Sequence, residues 1–246
     1  MSIDGPDNWG KLSPAYKTCG EGKEQSPIDL VTADAVPNPN LDNLTRVYAP
    51  ADATLLNNGK DITMTFDHGG NTVSPGTIHV RSEADGGAEE EYKFKMIHWH
   101  SPSEHTINGQ RFPLELHLVH ANEEGHLAVI GILYKIGSPD AFYDQLEEQL
   151  RELRNASRVS AGVVELKSLQ KRTGSYFRYV GSLTTPPCTE HVIWSILGKV
   201  RELSAEQLEL LTAPLPHKDN RPPQPLNGRS VQFYNPPNST VSFQTV

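Results

Sequence analysis

Two observations predict a mainly β fold, and a third predicts one domain. The 246 residues include 19 glycines and 19 prolines, many for a helical protein and ordinary for short strands joined by turns. Apolar and polar residues alternate with period two in run after run, and only two segments show helical spacing. With 36% apolar and 21% charged residues and no compositional break, the chain has material for one large core, so a single domain over residues 1–246 is expected.

The runs follow one another between turn signals. Thr54 to Leu56 meets Asn57-Asn58-Gly59, and Ile62 to Phe66 meets His68-Gly69-Gly70. Thr77 to Arg81, Tyr92 to His100, Leu114 to His120 and Leu127 to Ile136 continue the series, and all read as antiparallel strands. Ser138-Pro139 opens a stretch with Phe142, Leu146, Leu150 and Leu153 at helical spacing, and Ser204-Ala-Glu-Gln207 is a capping box before Leu208, Leu210 and Leu211. Two surface helices are expected there. Residues 213 to 230, rich in Pro, Asn and Gly, predict ordered coil over the surface.

No run reaches the roughly 18 apolar residues that cross a bilayer, and Met1-Ser2-Ile3-Asp4-Gly5 has neither the charged nor the apolar region of a leader. A net charge of −8 without a Lys/Arg cluster argues against nucleic acid and anionic membrane, leaving a small-molecule partner. Cys19 and Cys188 sit in no metal-ligand spacing; they read either as two reduced core thiols or as one disulfide, which implies an oxidising compartment. The sequons at Asn43, Asn155 and Asn238 lean toward the secretory route, with a leader already removed.

The chemistry concentrates in Lys95-Met96-Ile97-His98-Trp99-His100. On a strand a two-residue step returns to the same face, so His98 and His100 address one point. In Leu114-Glu115-Leu116-His117-Leu118-Val119-His120, the leucines face one way and Glu115, His117 and Val119 the other. Three imidazoles that leave a fourth position open are the ligand set of a catalytic zinc. Glu115 shares the His117 face and can take the imidazole's second N–H. His105 and His120 are expected to be structural.

With these motifs on view, the chain resembles the α-class carbonic anhydrases. The likeness runs nearly end to end, through Gly5-Pro-Asp-Asn-Trp9, Gln25-Ser-Pro-Ile28, Asn57-Asn-Gly59, His98-Trp-His100, Ser103-Glu-His-Thr106, Glu115-Leu-His-Leu-Val-His120, Gly181-Ser-Leu-Thr-Thr-Pro-Pro187 and Arg221-Pro222. The stretch from Trp9 through Cys19 to Pro27 is similar to the plant branch, which includes dioscorins and nectarins.

The resemblance implies a large, twisted, mostly antiparallel central sheet with a few short helices, and zinc-dependent hydration of CO2 to bicarbonate and a proton. Zinc would be held by His98, His100 and His117, with Glu115 behind His117. Thr184, oriented by Glu104, would aim the nucleophile, and Thr185 would line the substrate side. Val119, Val129, Leu183 and Trp194 would form the apolar wall that CO2, which has no dipole, requires. A Cys19–Cys188 disulfide, cis bonds at Ser26-Pro27 and Pro186-Pro187, inhibition by sulfonamides and anions, and a monomer or homodimer follow from the same likeness. So does a location outside the cell, in the apoplast or in an oxidising lumen of the thylakoid type.

The sequence departs from the family at three places. Lys60 stands where fast members carry a shuttle histidine, and a lysine side chain, charged through the neutral range, cannot accept a proton there. His68 is the unplaced substitute. Met96 replaces a glutamine that bonds the first zinc histidine, leaving His98 to a water or a backbone carbonyl. The start is too short for a tyrosine that many members add to the active-site water network. The main rival reading is a storage or binding protein on the same fold, weakly active or inactive, as in the dioscorins. A zinc protease is disfavoured because no HExxH is present, while weak ester hydrolysis remains compatible with the same centre.

Overall fold

The computed structural model describes residues 5–68, 71–81, 89–170, 174–216 and 220–236. The leader test at residues 1–4, the turn at Gly69-Gly70, the side chain of His68 and the sequon at Asn238 lie outside the described residues.

Ten strands frame the structure: β1 (Ala51–Asn57), β2 (Ile62–His68), β3 (Gly76–Arg81), β4 (Glu89–His100), β5 (Leu114–Ala121), β6 (Leu127–Ile136), β7 (Arg158–Val164), β8 (Tyr176–Ser182), β9 (Glu190–Leu197) and β10 (Gln232–Tyr234). They lie in one sheet in the order β7-β1-β2-β4-β5-β6-β9-β8-β10, with β3 on the first half of β4. The expected mainly β architecture is observed. Most pairs are antiparallel, but β6 and β9 run parallel, pairing Ala128 with Ile193 through Gly131 with Ile196. The strands expected between residues 51 and 136 are found. By contrast, β7, β8 and β9 lie outside the runs expected to be strands.

Among the described residues five short α-helices form: α1 (Trp9–Leu12), α2 (Thr18–Glu21), α3 (Ala141–Asp144), α4 (Glu147–Leu153) and α5 (Ala205–Thr212). The stretch expected to start one helix at Ser138 forms α3 and α4 instead, and α3 begins only at Ala141 because Asp140, one residue past Pro139, is its cap: its carboxylate accepts from the Phe142 N–H at 2.9 Å. The capping box of α5 is closed in both directions between Ser204 and Gln207. No helix among the described residues is long and apolar enough to cross a membrane.

Strand alternation divides the apolar residues between the two faces of the sheet. Leu114, Leu116, Leu118, Ile130, Ile132 and Tyr134 point into the larger core, where Phe142, Leu146, Leu150 and Leu153 cover them. Val119, Val129, Leu133, Trp194 and Ile196 belong to a smaller cluster on the opposite face. Along β5 this second face also carries Glu115 and His117. Coil follows α5 as expected, yet Arg221 within it is buried, at 1% exposure.

Candidate metal centre

His98 and His100 sit at the end of β4, and the β4/β5 register places His117 directly opposite His98. The three rings converge, with centroids 4.9 to 5.0 Å apart and one nitrogen from each within 4.8 Å of the others. Nδ1 of His117 lies 3.1 Å from Nε2 of His98. Two nitrogens bound tetrahedrally to zinc at about 2.0–2.1 Å would lie about 3.3 Å apart, so the pair fits that ion. His100 and His117 are buried, and His98 is partly exposed.

Zinc binds neutral imidazole, and the environment keeps His98 and His117 neutral. Burial lowers His117 to about 4 even though Glu115 pulls the other way. Burial together with the neighbouring rings holds His98 well below the usual histidine value.

Glu115 settles which nitrogen of His117 faces the centre. Its Oε1 lies 2.7 Å from His117 Nε2 and 2.6 Å from His105 Nδ1, and its Oε2 accepts the backbone N–H groups of Glu104 and His105, both at 2.8 Å. Burial alone would raise this carboxyl; His105 and His117 beside it outweigh that and hold it well below the carboxylate range. An ionised Glu115 accepts from His117 Nε2–H, which leaves the Nδ1 lone pair for a metal. His105 is hydrogen-bonded at both ring nitrogens: the second reaches Tyr179 Oη at 2.6 Å, and that hydroxyl lies 2.8 Å from Ser26 Oγ. Tyr179 was not singled out in the sequence, and Ser26 entered only through its motif and its cis bond to Pro27.

Glu104 lies in the turn after β4, with Oε2 3.4 Å from His100 Nε2. Its Oε1 accepts the Arg221 backbone N–H at 2.8 Å, and the Thr184 hydroxyl also hydrogen-bonds to it. Burial pushes Glu104 up to about 7, Glu115 nearby adds to the shift, and His100, Thr184 and Arg221 oppose it. Thr184 and Thr185 follow β8 in a turn where Thr185 C=O accepts from Cys188 N–H at 2.9 Å.

Val119, Val129 and Trp194 share the buried cluster on the histidine face, and Leu183 packs against it. The Trp194 ring lies 4.8 Å from that of His117 and gives its N–H to Ser182 C=O. Met96 packs in the same cluster. Lys60 is exposed in the β1–β2 turn, three residues before Thr63, which pairs with His98.

Of the two readings open for the cysteines, the disulfide is observed: Cys19 and Cys188 are joined across 169 residues, which suggests an oxidising, secretory-type environment. Ser26-Pro27 and Pro186-Pro187 are cis as expected, and Ser101-Pro102 is a third, unexpected one. Asn43 and Asn155 are exposed.

The family model described as eukaryotic-type carbonic anhydrase matches residues 4–235. The chain is 42% identical over 238 residues to alpha carbonic anhydrase 7 of Arabidopsis thaliana, covering 94% of this chain and 82% of that protein. Among solved structures it is similar to dioscorin complexed with ascorbate, with a TM-score of 0.89 and 38% identity over 97% of both chains. It is also similar to the α-carbonic anhydrase of Thermovibrio ammonificans in complex with the inhibitor sulfanilamide, with a TM-score of 0.81 and 37% identity over 94% of this chain and 96% of that one. On the strength of these matches the chain belongs to the eukaryotic-type carbonic anhydrase family.

Proposed function

We propose that this protein catalyses the reversible hydration of CO2 to bicarbonate and a proton, with zinc held by His98, His100 and His117. The observation that carries the reading is the convergence of three imidazoles beside a Thr184–Glu104 hydrogen bond. When bound, zinc supplies a Lewis acid and a water acidic enough to act as nucleophile near neutral pH, the chemistry of carbonic anhydrase itself.

The protein's own groups do the rest. Glu115 keeps the proton of His117 on Nε2. An ionised Glu104 accepts the hydrogen bond of the Thr184 hydroxyl, so the Thr184 oxygen has only lone pairs left to offer and can accept a hydrogen bond from the attacking oxygen but not donate one. The oxygen is thereby turned toward substrate. Thr185 lines the substrate side, and Val119, Val129, Leu183 and Trp194 offer CO2 an apolar wall. Lys60 stands where a shuttle histidine would, so turnover depends on buffer.

The likeness to dioscorin supports a second reading, a storage or binding protein with little activity. Retention of all three histidines, Glu104 and Thr184 favours the enzyme. One equivalent of zinc in purified protein, with stopped-flow CO2 hydration abolished by a chelator and inhibited by a sulfonamide, is the expected outcome; full zinc without hydration would establish the second reading. The family match supports reading residues 1–246 as one domain. The disulfide and the exposed Asn43 and Asn155 support a place on the secretory route, outside the cell or in an oxidising lumen.

A further inference from the structure

Gly131 lies in the interior of β6, where the β5/β6 register pairs it with His117 and the β6/β9 register pairs it with Ile196. Directly paired residues project from the same face of a sheet, so a side chain at this position would stand on the histidine face. Glycine weakens a strand interior and often marks a close approach of other groups. Its backbone does not require it, because Gly131 is not among the residues with positive φ.

The reason for the glycine is space. A Cβ on Gly131 would come 3.1 Å from Glu115 Oε1 and 2.5 Å from Ile196 Cδ1. Both approaches are closer than van der Waals contact, but the two neighbours differ in their freedom to yield. Ile196 Cδ1 is the end of a side chain that can change rotamer. Glu115 is fully buried and held by four hydrogen bonds: Oε1 lies 2.7 Å from His117 Nε2 and 2.6 Å from His105 Nδ1, and Oε2 accepts the N–H groups of Glu104 and His105.

We propose that Gly131 is a positioning residue for Glu115: the place its missing side chain leaves open is where the carboxylate stands in line with His117 Nε2. A methyl group there displaces Oε1, and a hydrogen bond weakens steeply as its geometry is lost. His117 then loses the acceptor that keeps its proton on Nε2 and its Nδ1 lone pair free. The placement of Glu115 stands on these contacts alone; its consequence for zinc rests on the metal centre proposed above.

Gly131→Ala by itself also strikes Ile196, so the test is made in an Ile196→Val background, which removes Cδ1. Long-range ¹H–¹⁵N spectra of the metal-free protein at pH 7.5 show which nitrogen of each ring carries the proton. In the parent and in Ile196→Val, His117 should be protonated at Nε2 and His105 at Nδ1. Adding Gly131→Ala should turn His117 into a mixture of tautomers and weaken zinc binding, measured by chelator competition, about tenfold or more. A packing defect lowers stability without moving a proton between ring nitrogens, so the spectra separate positioning from packing. Parental tautomers in the folded double variant would overturn the proposal, whatever its zinc affinity. The tautomer change in a protein whose parent takes up no zinc would support the placement of Glu115 and reject the metal centre instead.

Discussion

Arg221 joins the start of the chain to Glu104. Its backbone N–H donates to Glu104 Oε1 at 2.8 Å, while its guanidinium donates to Cys19 C=O and Ser26 C=O at 2.8 Å and to Gln25 Oε1 at 2.9 Å. Cys19 is tied in turn to Cys188, whose N–H bonds Thr185 C=O. The carboxylate and the threonine turn are thus anchored through one buried side chain, with Trp9 packed on its guanidinium at 5.6 Å.

Arg221→Met keeps the backbone N–H and most of the volume but leaves three buried oxygen acceptors without their charged donor. Stability should fall by about 2–4 kcal/mol in urea unfolding. CO2 hydration should fall as well, though less than in Glu104→Gln, because the N–H to Glu104 survives. Unchanged urea stability would mean that these three hydrogen bonds do not matter.

Glu115→Gln tests the tautomer argument. The two backbone N–H groups at Oε2 require an acceptor, so the new amide nitrogen must take the Oε1 place and donate to His117 Nε2. That moves the imidazole proton to Nδ1, the atom facing His98. Zinc affinity, measured by chelator competition, should weaken about 10- to 100-fold, and the ¹⁵N shifts of His117 in metal-free protein should exchange between its two nitrogens. Affinity equal to the parent's would rule out a tautomer-setting role.

Lys60→His asks whether proton export limits turnover. The turn uses only the Lys60 backbone, whose N–H donates to Asn58 Oδ1 at 2.8 Å, so the replacement leaves the turn intact. An imidazole titrates near neutral pH and can accept the proton that an ammonium cannot. Stopped-flow turnover in weak buffer should rise about tenfold, with little change in concentrated imidazole buffer. No gain in weak buffer would show that Lys60 is not the limiting position.

The legible parts of the molecule were those encoded locally. Alternation through β4 and β5 placed His98, His100, His117 and Glu115 on one face without any knowledge of the partner strand. β8 is buried almost throughout and so shows no polar beat, and β7 is broken by Gly162 at φ +62°. The parallel joint between β6 and β9 depends on which strands meet, which alternation does not encode. The supports of the site were harder still: Arg221 reaches residues 117 to 202 positions away, and Tyr179 reaches His105 across 74. No periodicity links such partners, and only the family motifs pointed to their segments.

His120 should make the protein acid-labile. It lies on the leucine face, where its Nδ1 meets Ala128 C=O at 3.3 Å and its Nε2 meets Tyr48 Oη at 2.8 Å, with the ring stacked on Phe94. Burial lowers its pKa from 6.5 to about 3, against the hydrogen bonds to backbone carbonyls. The folded protein thus keeps the ring neutral while the unfolded chain takes up a proton below about pH 6.5. The unfolded state binds more protons, so this residue's stabilisation is complete above pH 6.5 and is lost as pH falls, at about 1.4 kcal/mol per unit down to about pH 3. His120→Phe should be less stable than the parent at pH 7.5, since Tyr48 and Ala128 lose their partner, yet its deficit should shrink by about 2 kcal/mol by pH 5. Urea unfolding of both proteins at pH 7.5, 6 and 5 measures this directly, and parallel stability curves would exclude His120 as the acid-sensitive group.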